Sequence, residues 1–284
     1  MNASLGEQEF LHSKINVGHL RFLPGAASAK VNIFMGHHGW NDKTFIGKVY
    51  PPRTKKMDFL RQYATKFNSV LATSTRFALP QANELNKWIS ATPKSFKFSV
   101  LAPQYLSHSK DFGNDAVLKD LDSTLNRLAI LNEKLAFLYF NFPSAIGLKR
   151  IDGALELLSS IPNEFPLAVS FRNQEVFRHE TLHKALAELN IASVLVDNKS
   201  HHKTNLLLTN TDLVIHFHAF DNPQTNVLAL NEWAKKCKSY VESGVNNIYF
   251  FATHQAPNKY LFPELLTSFK ESLLGELGER AQFR

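Results

Sequence analysis

The side chains best suited to chemistry in this sequence are histidines and arginines. His37 and His38 are adjacent, His216 and His218 are two residues apart, and His254 follows later. In an extended strand a spacing of two puts both side chains on one face, so His216 and His218 point the same way if their segment is a strand. Clustered imidazoles can hold zinc, iron, nickel or copper, and catalytic zinc takes three protein ligands and keeps one position open. An imidazole also titrates near neutrality, which suits a general acid–base group. The competing reading makes most of these histidines ordinary polar loop residues. Asp42 and Asp197 are the best carboxylates available to them, and no metal ligand is assigned.

His179-Glu180-Thr181-Leu182-His183 matches the HExxH pattern, which on a helix places two histidines on one face with a glutamate beside them. No glycine and third histidine continue it, and Glu188 is too close to serve as a third ligand. The expectation is the polar outer face of a helix.

Arg76 and Arg172 each follow an apolar run, with Lys48 in an earlier loop. A guanidinium grips carboxylate or phosphate with two parallel hydrogen bonds, so these residues point to an anionic ligand unless each pairs with a loop carboxylate or carbonyl. Trp40, Phe45, Tyr50, Phe77, Tyr105 and Phe142 either line a rim that stacks on a flat ligand or cap the core. The glycine fingerprints of dinucleotide and P-loop sites are absent, as is a Gly-x-Ser-x-Gly elbow. The single cysteine, Cys237, excludes an internal disulfide and fits a reducing compartment.

The elements that must position these groups alternate. Val31–Met35, Ser69–Thr73, Phe96–Ala102, Leu135–Phe140, Leu167–Phe171, Ile191–Val196, Leu213–Phe217 and Ile248–Phe251 read as strands. Amphipathic segments intervene at Met57–Phe67, Gln81–Ala91, Asp115–Leu131, Leu148–Ser160, Glu175–Leu189 and Val227–Val241, with Pro257–Leu274 closing the series. The stripe Leu118, Leu121, Leu125 and Leu128 marks the clearest helix. Sustained β–α alternation implies parallel strands with right-handed crossovers, and eight of them over about 250 residues favour a closed barrel over an open doubly wound sheet.

Composition is that of a globular chain: 284 residues, 44% hydrophobic, 20% charged and 23 phenylalanines. A net charge of +7 favours anionic partners, but it is spread along the chain, and nucleic-acid binding would rest on the pI of about 9.3 alone. No stretch is apolar enough to span a bilayer, and the first ten residues lack the basic start and apolar run of a signal peptide. The expected location is the cytoplasm.

Five stretches carry a further signal. They are Gly36-His37-His38-Gly39-Trp40 with Gly47 and Tyr50-Pro51-Pro52; Phe67-Asn68-Ser69-Val70 running to Ser74-Thr75 and Leu79-Pro80; Phe98 to Ala102-Pro103 with Ser107-His108; Phe140-Asn141-Phe142-Pro143; and Ala168-Val169-Ser170-Phe171-Arg172. In this order they resemble the YecE-like family (domain of unknown function 72), a family of (β/α) barrels. Asp197 and His218 stand where that family keeps an aspartate and a histidine at strand ends. The resemblance also implies a glutamate at Leu71, an asparagine at Thr73, a lysine at Leu101, a glutamine at Asn141, a glutamate at Ser170, an arginine at His216, and asparagines at Ala252 and Thr253. This chain departs at each.

Together these readings predict an α/β fold, a single (β/α)8 TIM-like barrel over residues 30–284, with residues 1–29 packing on it or fraying from it. The predicted function is binding of a small anionic or phosphorylated ligand at the carboxyl-end mouth by Arg172, Arg76, His216, Asn141, His37 and Trp40. If the barrel is an enzyme, a hydrolase is the natural class, with His218 as acid–base group and Asp197 orienting it. A binding protein with a decayed active site and a metal-dependent hydrolase using the mouth histidines are the alternatives. Nothing in the sequence requires a cofactor.

Overall fold

The structure is a computed structural model that describes residues 29–177, 179–197, 208–255 and 257–284. The expected N-terminal extension therefore lies outside the described residues, apart from Ala29.

Nine parallel strands form one sheet: β1 Val31–Gly36, β2 Ser69–Ala72, β3 Lys97–Leu101, β4 Leu135–Phe142, β5 Leu167–Phe171, β6 Ala192–Asp197, β7 Asp212–His218, β8 Asn247–Thr253 and β9 Ala281–Phe283. Their order is β2-β3-β4-β5-β6-β7-β8-β1-β9. Most strand residues are buried on both faces, which explains their near-continuous apolar runs. The helices on the outer side are α1 Phe59–Ala64, α2 Ala82–Ser90, α3 Gln104–Ser107, α4 Asp115–Leu128, α5 Ile151–Ser159, α6 Gln174–Phe177, α7 Glu180–Glu188, α8 Pro223–Glu242 and α9 Phe262–Leu277. None is long and apolar enough to cross a membrane among the described residues.

The alternation and the strand order match expectation, but the ladder is not a continuous closed ring of eight. It is open between β1 and β2, where only an isolated bridge joins His38 to Leu71. On that edge of β1, β9 pairs with Val31–Ile33, and the His38–Leu71 bridge lies beyond it. Side chains work at the β1–β2 seam. The Asn68 carboxamide accepts from the Met35 amide and donates to the Ile33 carbonyl, both at 2.7 Å. The Tyr63 hydroxyl donates to the Ser69 carbonyl and accepts from the His37 amide. A Cβ at Gly36 would lie 1.9 Å from the Ser69 carbonyl oxygen, so only glycine permits the two backbones to approach this closely.

Inside the curve of the sheet, Phe34, Phe137, Tyr139, Tyr249 and Phe251 pack against the small residues Ala168, Ala192, Val194 and Val214. Large rings on β1, β4 and β8 thus fill the space that short side chains on β5–β7 leave. The larger core lies between sheet and helices, where Phe269 of α9 stacks on Phe250 at 3.8 Å.

Some helix details differ from the sequence reading. Leu118 is at the exposed margin of α4, whose buried face is Leu121, Thr124, Leu125 and Leu128. Leu148 is exposed because it falls in a 3-10 turn ahead of α5. α8 begins at Pro223, capped by Asn222, whose side chain accepts from the Gln224 amide; Asn before Pro is a standard helix start.

Candidate functional site

Strand alternation builds the site. On β7 the residues Val214, His216 and His218 face inward; on β4 Tyr139 and Asn141 do so, and on β5 Ser170, with Arg172 just beyond the strand. At the carboxyl ends of the strands these side chains surround a cavity of about 680 Å³, together with His38, Arg76 and Phe77. Arg76 ends a 3-10 turn, Thr73–Arg76, that is anchored by the buried Thr75 hydroxyl, 2.6 Å from the carbonyls of both Ala72 and Leu101.

A hydrogen-bonded chain runs along one wall. The hydroxyls of Tyr139 and Ser170 are 2.6 Å apart, Ser170 donates to Asn141 Oδ1 at 3.3 Å, and Arg172 Nε donates to the same oxygen at 3.4 Å. Burial pushes the Tyr139 phenol up to about 12, against the Ser170 hydrogen bond and the nearby Arg172, so it stays protonated. Three imidazoles meet on another wall. The His38 ring lies edge to face with His216 at 5.2 Å and with His218 at 5.6 Å. His216 also abuts the rings of Tyr139 and Phe251. Burial, and secondarily His218, push its pKa down to about 3, and burial likewise holds His38 well below the ordinary value. Both are therefore neutral imidazoles at pH 7.

No carboxylate lines the cavity among the described residues. Its charged groups are the two guanidiniums, and both depress the pKa of His108, after desolvation. The Nε of Arg76 and the Nε2 atoms of His38 and His216 are buried without a partner among the described residues.

Three predicted site residues lie elsewhere. Asp197 is on β6 with the opposite parity to the cavity-lining Val194 and Val196, so its side chain faces outward to α8, where Trp233 Nε1 donates to Oδ2 at 2.7 Å. It does not orient His218, and burial pushes its pKa up to about 6, opposed by the Trp233 bond and Lys236. His37 points the other way from His38. It stacks at 4.3 Å on Phe262, donates from Nδ1 to the Gly39 carbonyl, and holds Nε2 3.2 Å from the Thr253 hydroxyl. Trp40 packs on Trp88 and Phe98. His254 belongs to a separate groove beside α8 and α9.

Lys48 lies over the Tyr260 ring rather than at the cavity. Of the rim aromatics, Phe45, Tyr50 and Phe142 are core, whereas Phe77 lines the cavity and is 72% exposed. The HExxH segment forms no metal site: His179 precedes α7 in extended conformation, and His183 is buried rather than on a polar outer face. Among the described residues no group of three or more His, Cys, Asp or Glu could hold a metal ion.

The family model for "Protein of unknown function DUF72" matches residues 34–278 of this chain. The chain belongs to the DUF72 family. It is 23% identical over 256 residues to UPF0759 protein YecE of Escherichia coli strain K12, covering 78% of this chain and 87% of that one. To UPF0759 protein YunF of Bacillus subtilis strain 168 it is 29% identical over 155 residues, about half of either chain (51% and 52%). Two solved DUF72 structures share its fold. One, from Enterococcus faecalis V583, has a TM-score of 0.68 at 13% identity, covering 87% of this chain and 99% of that one. The other, from Thermotoga maritima MSB8, has a TM-score of 0.65 at 20% identity, covering 85% and 98%.

Within this DUF72 chain the departures implied by the resemblance cluster in space. Leu71, Thr73, Leu101, Asn141, Ser170 and His216 all line the cavity, while Ala252 and Thr253 do not. His38, Tyr139 and Ser170 were not among the predicted ligand contacts. The spacing of Tyr139 and Asn141 carried that signal, since residues two apart on a strand share a face.

Proposed function

We propose that this DUF72 chain binds a small anionic ligand in the cavity at the carboxyl ends of the strands. The observation that carries this reading is the charge of the lining: among the described residues, two guanidiniums and no carboxylate. Among the described residues Arg172 makes one long side-chain bond, to a neutral amide oxygen, and Arg76 Nε has no partner, so both keep donors to offer. The cavity has the size of a small-molecule site. Barrel sites are built at this end of the strands, and we read the sheet as a TIM-like barrel whose β1–β2 seam is bridged by Asn68, Tyr63 and the His38–Leu71 pair. A buried lone cysteine fits the same reading of a protein of the cytoplasm.

Binding is favoured over hydrolysis because Asp197, the residue that the hydrolase reading assigned to orient His218, faces outward and accepts from Trp233 instead. Isothermal titration with inorganic phosphate and small phosphate esters tests the reading. Wild type should bind, and Arg172→Gln and Arg76→Gln should each weaken binding by about 10-fold or more, the scale of one charge-assisted hydrogen bond. Affinity that ignores both substitutions would refute it.

A further inference from the structure

The guanidiniums account for an anionic head and leave part of the cavity unexplained. His38 and His216 both line it, the buried Nε2 of each has no partner among the described residues, and their rings lie 5.2 Å apart. His216 is only 4% exposed, and its ring is fixed between Tyr139, Phe251 and His38, so it cannot swing out to water without breaking those contacts. A buried polar atom with no partner costs free energy and calls for one from whatever fills the cavity.

The chemistry of the pair selects the partner. A neutral imidazole offers one donor and one acceptor nitrogen, according to tautomer. Two such rings side by side are matched by a group that donates and accepts at once, which is a hydroxyl. An apolar group would leave both nitrogens unmatched. An ammonium would face the two arginines of the same cavity. The Ser170 and Tyr139 hydroxyls, next to His216, extend the same polar surface.

We propose that His38 and His216 bind a hydroxyl of the ligand, which is therefore a small hydroxylated phosphate ester, a polyol or sugar phosphate with its phosphate on Arg76 and Arg172. This rests on the anion-site reading above. A phosphate dianion matches two guanidiniums, and the cavity of about 680 Å³ accommodates a ligand of that size.

The test is titration of the full chain with glycerol 3-phosphate and with n-propyl phosphate, which has the same head and length but no hydroxyls. Wild type should prefer glycerol 3-phosphate by about 10-fold or more, as expected when a buried polar group otherwise loses its partner. His216→Phe and His38→Leu should each collapse that preference. Equal affinity of wild type for the two esters would overturn the inference while leaving the anion site standing, and this arm needs no variant to fold. A preference that persists in both folded variants would also overturn it. Tighter binding of glycerate than of glycerol 3-phosphate would overturn the assignment to phosphate esters. Absence of binding by both esters and by inorganic phosphate would refute the anion site and the inference together.

Discussion

Gly36→Ala should be among the most damaging single-methyl additions in this protein. The new Cβ would stand 1.9 Å from the Ser69 carbonyl oxygen and 2.7 Å from both the Ser69 carbonyl carbon and the Tyr63 hydroxyl. Two of those three atoms are backbone, so no side-chain rotation relieves the clash, and β1 and β2 must separate by roughly 1 Å or more to reach ordinary contact. Of the hydrogen bonds at that seam, three lie beside Gly36: Tyr63 Oη to Ser69 O at 3.0 Å, the His37 amide to Tyr63 Oη at 2.7 Å, and the Leu71 amide to His37 O at 3.1 Å. At about 1 kcal/mol each they are worth about 3 kcal/mol. Overpacking adds about 1–3 kcal/mol, and the lower entropy of an unfolded alanine returns about 0.4–1 kcal/mol. The net expectation is a loss of about 3–5.5 kcal/mol. Urea unfolding at pH 7.5 measures it as a lower midpoint at unchanged slope. Gly36 lies outside the left-handed region, so a seam with room for the methyl would make Gly36→Ala neutral or stabilising. A midpoint equal to or above wild type would therefore refute the close-approach argument.

Asn68→Ala should destabilise by about 2–4 kcal/mol in the same assay, because the Met35 amide and the Ile33 carbonyl both lose their partner; a loss under about 0.5 kcal/mol would mean that water replaces the carboxamide. Stability should also fall between pH 7 and pH 5. His37, pushed down to about 4 by burial, and His216, pushed down to about 3, bind protons more weakly folded than unfolded, so the stability present above the ordinary histidine pKa is lost as pH drops through it. Each should cost about 2 kcal/mol over that interval. Asp197 acts in the opposite sense: its folded pKa, pushed up to about 6, restores about 1 kcal/mol as it protonates. Urea midpoints at the two pH values check the net sign, and His216→Gln should flatten the profile. Arg172→Gln and Arg76→Gln should weaken phosphate binding and reduce its dependence on ionic strength, which calorimetry at two salt concentrations reads directly.

The elements were legible because nearly every strand is an apolar run ended by a polar or breaking residue, as at Phe142-Pro143 and Gly36. Parity within those runs was not legible. In β6 both Val196 and Asp197 sit in a strand buried on both sides, and nothing in the local pattern says which face looks inward. The same ambiguity separates His38, which lines the cavity, from His37, which packs on Phe262. On β7 the shared face of His216 and His218 was readable, because the two residues decide it between them whichever way the strand turns. β9 left no signal: three residues after Gly278 are too short a run, and they matter only because β1 offers them an open edge. The HExxH match failed for a local reason, since His179 lies ahead of the first helical turn of α7.

The most direct test of the anion site is a crystal structure of the protein with glycerol 3-phosphate. The phosphate should sit within hydrogen-bond distance of both Arg76 and Arg172 at the mouth of the cavity. A phosphate bound elsewhere, with both guanidiniums out of contact with it, would contradict the proposed function.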